Sequence, residues 1–300
     1  MSKKTKLLIT GATGFTGIHA CRHFHQAGYE VIGVSRQQSV IGNNHPPILS
    51  CDLTNKSKLT ELIQKNKPDK VLHLAGQNHV PSSWVDPIAS LEINTMSTAY
   101  LLEAIRLQAP ECKVLVVGSM LQFDINDITT LDHPYSLSKT LQVLVARSWE
   151  LLYEMDIVIA KPSNLIGPGR SNGVCSILAR KVAEMELLGA EKVLKINNLS
   201  AQRDFLDVRD AVRGYEILFN KSPSGSVHNL TSGQPRYLKE ITSSLQDISS
   251  VDFAVESTED KFEEKVIKIS SSLILENMST LIPFEKSMKD ILNYQRKSLV

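Results

Sequence analysis

Short apolar runs of similar length recur through the first half of the chain: "KLLIT" (6–10), "EVIGVS" (30–35), "PILSCDL" (47–53), "KVLHLAG" (70–76), "KVLVVGS" (113–119) and "DIVIAKP" (156–162). Between them the apolar positions fall three and four apart, the period of a helix with one buried face. Such stretches begin at about Thr16, cover "KSKLTELIQKN", lie near 87–108, and run from Tyr135 to about Met155. Strands alternating with helices in this way predict βαβ units, and hence a parallel sheet covered by helices.

After Pro162 the rhythm breaks at "SNLIGPGRSNGV" and becomes less regular. A helix near 177–187, a strand "KVLKI", the segment "AQRDFLDVRDAVRGYEILF" and a terminal amphipathic helix follow, with "SVHNLTS" (226–232) again reading as a buried strand. The expected fold is therefore α/β: a Rossmann-type doubly wound parallel sheet with a smaller C-terminal α/β substrate lobe. The expected division gives 1–163 and 204–232 to the dinucleotide-binding domain, and 164–203 and 233–300 to the substrate lobe.

Composition narrows the function classes. The 300 residues are 42% hydrophobic and 22% charged, enough to bury a substantial core. With 33 basic against 32 acidic residues the net charge is +1, and no basic tract exceeds the short "SKKTK". Nucleic acid and membrane surfaces thus have no electrostatic footprint here, and a small-molecule partner is expected. Cys21, Cys51, Cys112 and Cys175 form no C-x-x-C pair, which argues against a zinc site and against a disulfide-stapled secreted domain. No run approaches the ~20 apolar residues of a membrane span, and the first is too short for a signal core. A cytoplasmic protein is expected.

The first chemistry lies in "LLITGATGFTG", where Gly11, Gly14 and Gly17 follow a predicted strand and open a predicted helix. Without Cβ atoms these turns let backbone amides approach a pyrophosphate, and the helix N-terminus adds favourable partial charge. Thr13, Phe15 and Thr16 belong to the same loop. The second strand ends at Ser35 and Arg36 rather than in the carboxylate that holds the ribose of NAD. A guanidinium suits a 2′-phosphate, so NADP(H) is the preferred cofactor, with NAD(H) as the alternative. Asp52 and Leu53, at the end of the third strand, either flank the adenine or form an ordinary strand-end turn.

The second chemistry is "SMLQFDINDITTLDHPYSLSK". Tyr135 and Lys139 are four apart on a predicted helix, so they share a face, and a nearby ammonium would lower the tyrosine pKa towards the working range of an acid/base. Ser119 leaves the preceding strand within reach of the same carbonyl oxygen. His19 and His23 have a chelating spacing but no further ligand in view, so no metal is expected. His133 either meets a substrate or leads into the helix, and Trp84 in "PSSWVDP" reads as a packing residue, with Ser82 or Ser83 available to a substrate's hydroxyls.

GATGFTG, "VLHLAG", Ser119, "YSLSK" and "RDFLDVRD" together resemble the extended short-chain dehydrogenase/reductase family of nucleotide-sugar epimerases, dehydratases and reductases, over essentially the whole chain. The later blocks "KPSNLIGPGRSNG", "NNLSAQRDFLDVRDAVRGYEILF" and "IPFEKSMKDILNYQR" are most similar to its GDP-4-keto-6-deoxymannose reductases. The resemblance implies Tyr135 as catalytic acid/base, Lys139 on the nicotinamide ribose and Ser119 orienting the reacting oxygen. It places Leu74, Ala75 and Gly76 along the cofactor, with Lys161, Pro162 and Ser163 opposite. Asn164, Arg170, Asn198, Leu199 and Arg203 would hold a nucleotide-diphosphate sugar, Arg203 through phosphate, whereas Arg209 is assigned a structural role within "RDFLDVRD". A homodimer through a four-helix bundle built from the helices near 87–108 and 135–155 is implied as well.

Departures from the family pattern select among its reactions. Related dehydratases carry a glutamate two residues after the active serine or threonine, where this chain has Leu121. Leucine cannot transfer a proton, so elimination of water loses its base, while ketone reduction needs only a hydride and a proton. Phe123 and Asp124 replace a tyrosine and glycine common in relatives, and the Ser119–Tyr135 linker is short. Where relatives have an Arg-Pro-x-Asp segment, this chain has "TEDKFEEKVIKIS", with Lys261 as a substitute point charge. The expected activity is NADPH-dependent reduction of the C4 ketone of a nucleotide-diphospho-4-keto-6-deoxyhexose. The alternatives are a C4 epimerase, a UDP- or dTDP-sugar 4-ketoreductase, and a dinucleotide-binding sensor or scaffold.

Overall fold

The computed structural model describes residues 3–36, 46–257, 278 and 280–300. They form two compact units, Met1–Pro162 with Val212–Asn229, and Ser163–Ala211 with Leu230–Val300.

The first unit is built on a seven-stranded sheet. Its strands are β1 (Lys6–Thr10), β2 (Glu30–Ser35), β3 (Ile48–Ser50), β4 (Lys70–His73), β5 (Lys113–Val117), β6 (Ile157–Pro162) and, later in the chain, β11 (Val227–Leu230). The order is β11-β6-β5-β4-β1-β2-β3, and the pairings of β1 with β2 and β4, β2 with β3, β4 with β5, and β5 with β6 are all parallel. Leu7, Leu8 and Ile9 are fully buried, as are Val114, Leu115 and Val116, because helices cover both faces of such a sheet. The strand order reverses between β1 and β4, and the crevice beyond the carboxyl ends of these two strands is where open α/β sheets place their ligands.

The helices of this unit are α1 (Phe15–Gln26), α2 (Lys56–Asn66), α3 (Val80–Val85), α4 (Pro87–Leu91), α5 (Ser97–Gln108) and α6 (Pro134–Tyr153). Helix α5 packs against α2 and α6. Two expectations are corrected. The helix near 87–108 is interrupted by a π turn, Glu92–Met96. The third strand is also shorter than "PILSCDL", because Asp52 turns the chain by accepting from Thr54 N and Asn55 then caps α2 through Lys58 N.

The second unit holds three two-stranded pairs: β7 (Asn164–Ile166) with β10 (Phe205–Asp207), β8 (Val193–Ile196) with β13 (Ala254–Ser257), and β9 (Gln202–Arg203) with β12 (Arg236–Tyr237). Its core comes from one face each of α7 (Val174–Leu188), α9 (Leu238–Ile248) and α10 (Phe284–Leu299). Leu178, Val182 and Met185 recur at helical spacing and pack with Ile241, Leu245, Met288 and Ile291. Helix α8 (Val208–Lys221) begins in this unit and ends in the first. Arg209 grips the buried Asp207 and Asp290 of α10, each at 2.8 Å, and Ser287 donates to Asp207 at 2.6 Å. This ion-pair cluster gives Arg209 a structural place.

Among the described residues no helix is long and apolar enough to cross a membrane, and no group of histidine, cysteine and acidic residues could hold a metal ion.

Candidate active site

The glycine turn leaves β1 at its carboxyl end. Gly11 has φ of 68°, in the left-handed region, and a Cβ there would lie 2.9 Å from Ala75 N. A Cβ on Gly17 would lie 2.1 Å from the Gly11 carbonyl, so the first turn of α1 sits directly against the loop. Gly14 is the N-cap of α1 and offers no side chain to cap it. The amides of Phe15 and Thr16 are therefore left for an external acceptor, at the positive end of the helix dipole. Thr13 braces the loop through a 2.9 Å hydrogen bond between its Oγ1 and Ser35 Oγ.

Arg36 is exposed just beyond β2 and lines an open cavity of about 470 Å³ with Asp52, Thr54 and Lys58. Asp52 accepts from both Thr54 N and Thr54 Oγ1, which hold its carboxyl below the usual range with smaller help from Arg36 and Lys58. Asp52 thus forms the strand-end turn, while Leu53 is buried. Glycines where a Cβ would clash, uncapped helix amides and a cationic hollow at the end of β2 together fit a dinucleotide lying across β1, β2 and β4. Residues Gly11 to Gly17 would meet its pyrophosphate.

Ser119, Tyr135 and Lys139 come together beyond β5, all buried. Burial raises the Tyr135 pKa, and a hydrogen bond from the Ser119 side chain lowers it, so serine and phenol are adjacent. Helix α6 starts where the sequence places it because His133 is its N-cap, Nδ1 accepting from Ser136 N at 2.8 Å, and Pro134 follows. His133 is accounted for by this cap. Ser83 is likewise engaged: its Oγ accepts from Tyr135 N at 3.1 Å and donates to the Val80 carbonyl. Trp84 is 62% exposed and is not a packing residue.

One electrostatic expectation changes. Lys139 does not lower the Tyr135 pKa in this structure, because its Nζ donates to the Val117 carbonyl at 3.0 Å and to Gln142 Oε1. Burial pushes the lysine down to about 7.

Leu74 and Ala75 donate their backbone N–H groups to Thr10 Oγ1, each at 3.1 Å, which fixes the turn after β4. A Cβ on Gly76 would lie 2.8 Å from Asn94 Oδ1. Asn94 sits in the π turn, accepts from Gln77 N, and donates to Gln77 O and Ser138 Oγ, joining the β4 turn to α6. Sequence reasoning passed over Asn94, Thr98, His73 and Gln142. The signal was present in each: a polar residue at an otherwise apolar, core-facing position. Leu121 is exposed, its N–H donating to Ser119 Oγ at 3.0 Å. Phe123 N donates to Thr140 Oγ1 and Asp124 N to Thr130 Oγ1, so the short linker is pinned to α6 and to its own turn.

Pro162 closes β6, its carbonyl accepting from Met120 N, and Lys161 beside it is half-buried with a pKa lowered by burial. In the second unit Ser163 Oγ donates to Asp204, which also takes Ser232 N, Ser232 Oγ and Gly233 N. Asn164 pairs its side-chain amide with the Asp204 carbonyl at 3.0 Å. Arg170 is exposed after β7, Asn198 turns the chain by accepting from Ser200 N, Leu199 packs on the core, and Arg203 donates to the Gln202 carbonyl from β9. Lys261 lies outside the described residues. His19 is half-buried on α1, and His23 pairs with Glu216 at 2.7 Å.

Comparison with known proteins agrees with this geometry. The profile described as "NAD dependent epimerase/dehydratase family" matches residues 7–230. GDP-6-deoxy-D-mannose reductase of Pseudomonas aeruginosa is 27% identical over 266 residues, 83% of this chain and 82% of that protein. A GDP-mannose 4,6-dehydratase of Vibrio cholerae is 30% identical over 235 residues, 70% of this chain and 63% of that protein. The solved structure of RMD from Pseudomonas aeruginosa complexed with NADPH matches with a TM-score of 0.83 at 26% identity, covering 98% of this chain and 100% of that one. The matched profile takes in every candidate site residue from Gly11 to Arg203, and the chain belongs to the NAD dependent epimerase/dehydratase family of enzymes.

Proposed function

We propose that the chain is an NADPH-dependent reductase of the C4 ketone in a nucleotide-diphospho-4-keto-6-deoxyhexose, with GDP as the carried nucleotide. The observation that carries this reading is the buried Ser119–Tyr135 pair with Leu121, rather than a carboxylate, two residues beyond the serine. Such a site has a proton donor for a ketone oxygen and no base at the position that elimination uses. The similarity to a GDP-6-deoxy-D-mannose reductase supports the substrate class.

In the proposed reaction Tyr135 gives its phenolic proton to the C4 oxygen while Ser119 hydrogen-bonds the same oxygen and orients it. Burial keeps the phenol protonated at neutral pH, the state a proton donor needs. Lys139 holds the nicotinamide ribose. When bound, NADPH supplies the hydride. Arg36 and Lys58 receive the 2′-phosphate, and the Phe15 and Thr16 amides the pyrophosphate. The second unit is assigned the nucleotide sugar, through Asn164, Arg170, Asn198 and Arg203, and the protein is placed in the cytoplasm as a homodimer.

Incubating the protein with NADPH or NADH and a panel of GDP-, UDP- and dTDP-linked 4-keto-6-deoxyhexoses tests the reading. Steady oxidation of NADPH with the GDP-linked ketone is the expected result. Interconversion of 4-hydroxy sugars without net oxidation would establish an epimerase instead, and inertness across the panel with dinucleotide still bound would leave a binding protein.

A further inference from the structure

A chain of buried hydrogen bonds runs from Lys139 across α5 to the turn after β4. Lys139 Nζ donates to Gln142 Oε1, and Gln142 Nε2 donates to Thr98 Oγ1 at 3.0 Å. Thr98 Oγ1 lies 2.8 Å from His73 Nε2, and His73 Nδ1 lies 2.8 Å from Thr10 Oγ1, the oxygen that receives the Leu74 and Ala75 amides. His73, Thr98, Gln142 and Thr10 are fully buried.

Proton accounting leaves this chain one arrangement. Thr98 spends its single hydroxyl proton on the Asn94 carbonyl at 2.7 Å, so it accepts from both Gln142 and His73. His73 Nε2 therefore carries the imidazole proton, and Nδ1 accepts from the Thr10 hydroxyl. Burial, with a smaller push from Lys139, lowers the His73 pKa to about 3, so the ring stays neutral. Gln142, having committed its Nε2 to Thr98, presents oxygen to the ammonium. From Gln142 Oε1 to Thr10 Oγ1 every acceptor in the chain then faces a donor, and such a buried network specifies one geometry.

We propose that Gln142 is the positioning residue for Lys139, and that through Thr98 and His73 it fixes the lysine and the Leu74–Ala75 turn as one unit. The proposal rests on the dinucleotide reading above for what Lys139 does, and extends it to what holds Lys139. An amide in this place anchors the ammonium without supplying a counter-charge. The titratable groups facing Lys139 are Tyr135, one turn earlier on α6, and His73 from β4. Helices α3 and α4 carry no charged residue, Glu92 of the π turn is exposed, Glu103 and Arg106 of α5 pair with each other, and Lys161 of β6 is half-buried. Burial alone sets the lysine's pKa among the described residues.

The test uses the full chain, free of cofactor, as wild type, Gln142→Glu and Gln142→Met, with folding checked by thermal melting. The titration midpoint of the Lys139 side chain is read by lysine NMR, its signal identified by loss in Lys139→Met, and NADPH affinity is measured by fluorescence titration. Gln142→Glu places a carboxylate on the ammonium, though it offers Thr98 no N–H, and is expected to raise the midpoint by about one unit or more. Gln142→Met removes the acceptor and is expected to lower the midpoint and to weaken NADPH by about tenfold. The imidazole nitrogen spectrum of His73 is expected to show the Nε2-protonated form. If the Met variant does not fold, the Glu variant alone decides through the midpoint. Unchanged midpoints in folded variants, or a His73 protonated at Nδ1, would overturn the relay. Midpoints that move as expected in a chain that binds no NADPH would instead uphold the relay and remove the dinucleotide reading.

Discussion

Tyr135, Ser119 and Lys139 carry the proposed chemistry, and their surroundings decide how they act. Replacing Tyr135 by Phe keeps the buried ring but removes the proton, so turnover with a 4-keto nucleotide sugar is expected to fall by about 10²–10⁴-fold with NADPH binding retained. Kinetics and dinucleotide titration on the same preparation check it. Lys139 adds a pH dependence of stability. Its pKa is about 7 in the folded chain and near 10.4 when unfolded, so between these values the unfolded chain binds more protons and stability rises with pH. Below about 7 the lysine is charged in both states and the gain is absent. Lys139→Met is therefore expected to melt higher than wild type at pH about 7, with the gap shrinking towards pH about 10. Melting curves across that range check the sign, and a gap independent of pH would mean that the lysine titrates normally. That Tyr135 and Lys139 lie on one face was legible in the sequence, since spacing on a helix fixes it. The orientation of the ammonium was not, because a polar residue inside an apolar run, as Gln142 is, marks a buried group without saying which partner it takes.

At the scale of elements, the glycine turn, the strands and the helix periods were legible because each is a local pattern. The turn is also closely packed against α1. Gly17→Ala sets a methyl group against the Gly11 carbonyl, at 2.1 Å in the unrelaxed geometry, so α1 must shift away from the loop. Overpacking of this kind costs about 1–3 kcal/mol. The expected outcome is a lowered denaturation midpoint together with lost NADPH binding, read by urea unfolding and by dinucleotide titration. What the sequence hid at this scale are the interruptions. The π turn over Glu92–Met96 depends on Asn94 reaching Gln77 and Ser138, which are 17 residues before it and 44 after it, so the helical period of 87–108 carries no trace of it. Strand β3 was overread for a similar reason: apolar Cys51 and Leu53 extend the strand pattern, but the Asp52 side chain has already turned the backbone.

At the scale of the whole molecule, the outer surfaces of α4, α5 and α6 remain unusually apolar. Ile88, Leu107, Leu151 and Leu152 are each more than half exposed, and Leu144 shares a helical face with Leu151 seven residues on. Such positions fit an interface between two copies of the chain. Light scattering is expected to give a dimer, and Leu144→Glu with Leu151→Glu a folded monomer; a monomeric wild type at working concentration would contradict the assignment. The fold class was legible because alternation of strands and helices is a property of the entire chain. The loop conformations were not, since loop lengths carry no rule. Length has one further consequence, at the π turn. A π turn accommodates one residue more than a regular helix would, so a deletion there, normally among the most damaging changes to a helix, would here leave a more regular one. Removing Ile93 is expected to leave the flanking helical faces in register and so to preserve or raise the melting temperature, while drawing Asn94 out of its place in the widened turn, which uncouples it from the β4 turn. The enzyme would then be better folded and worse at holding its dinucleotide: a single codon lost, with stability and function moving in opposite directions.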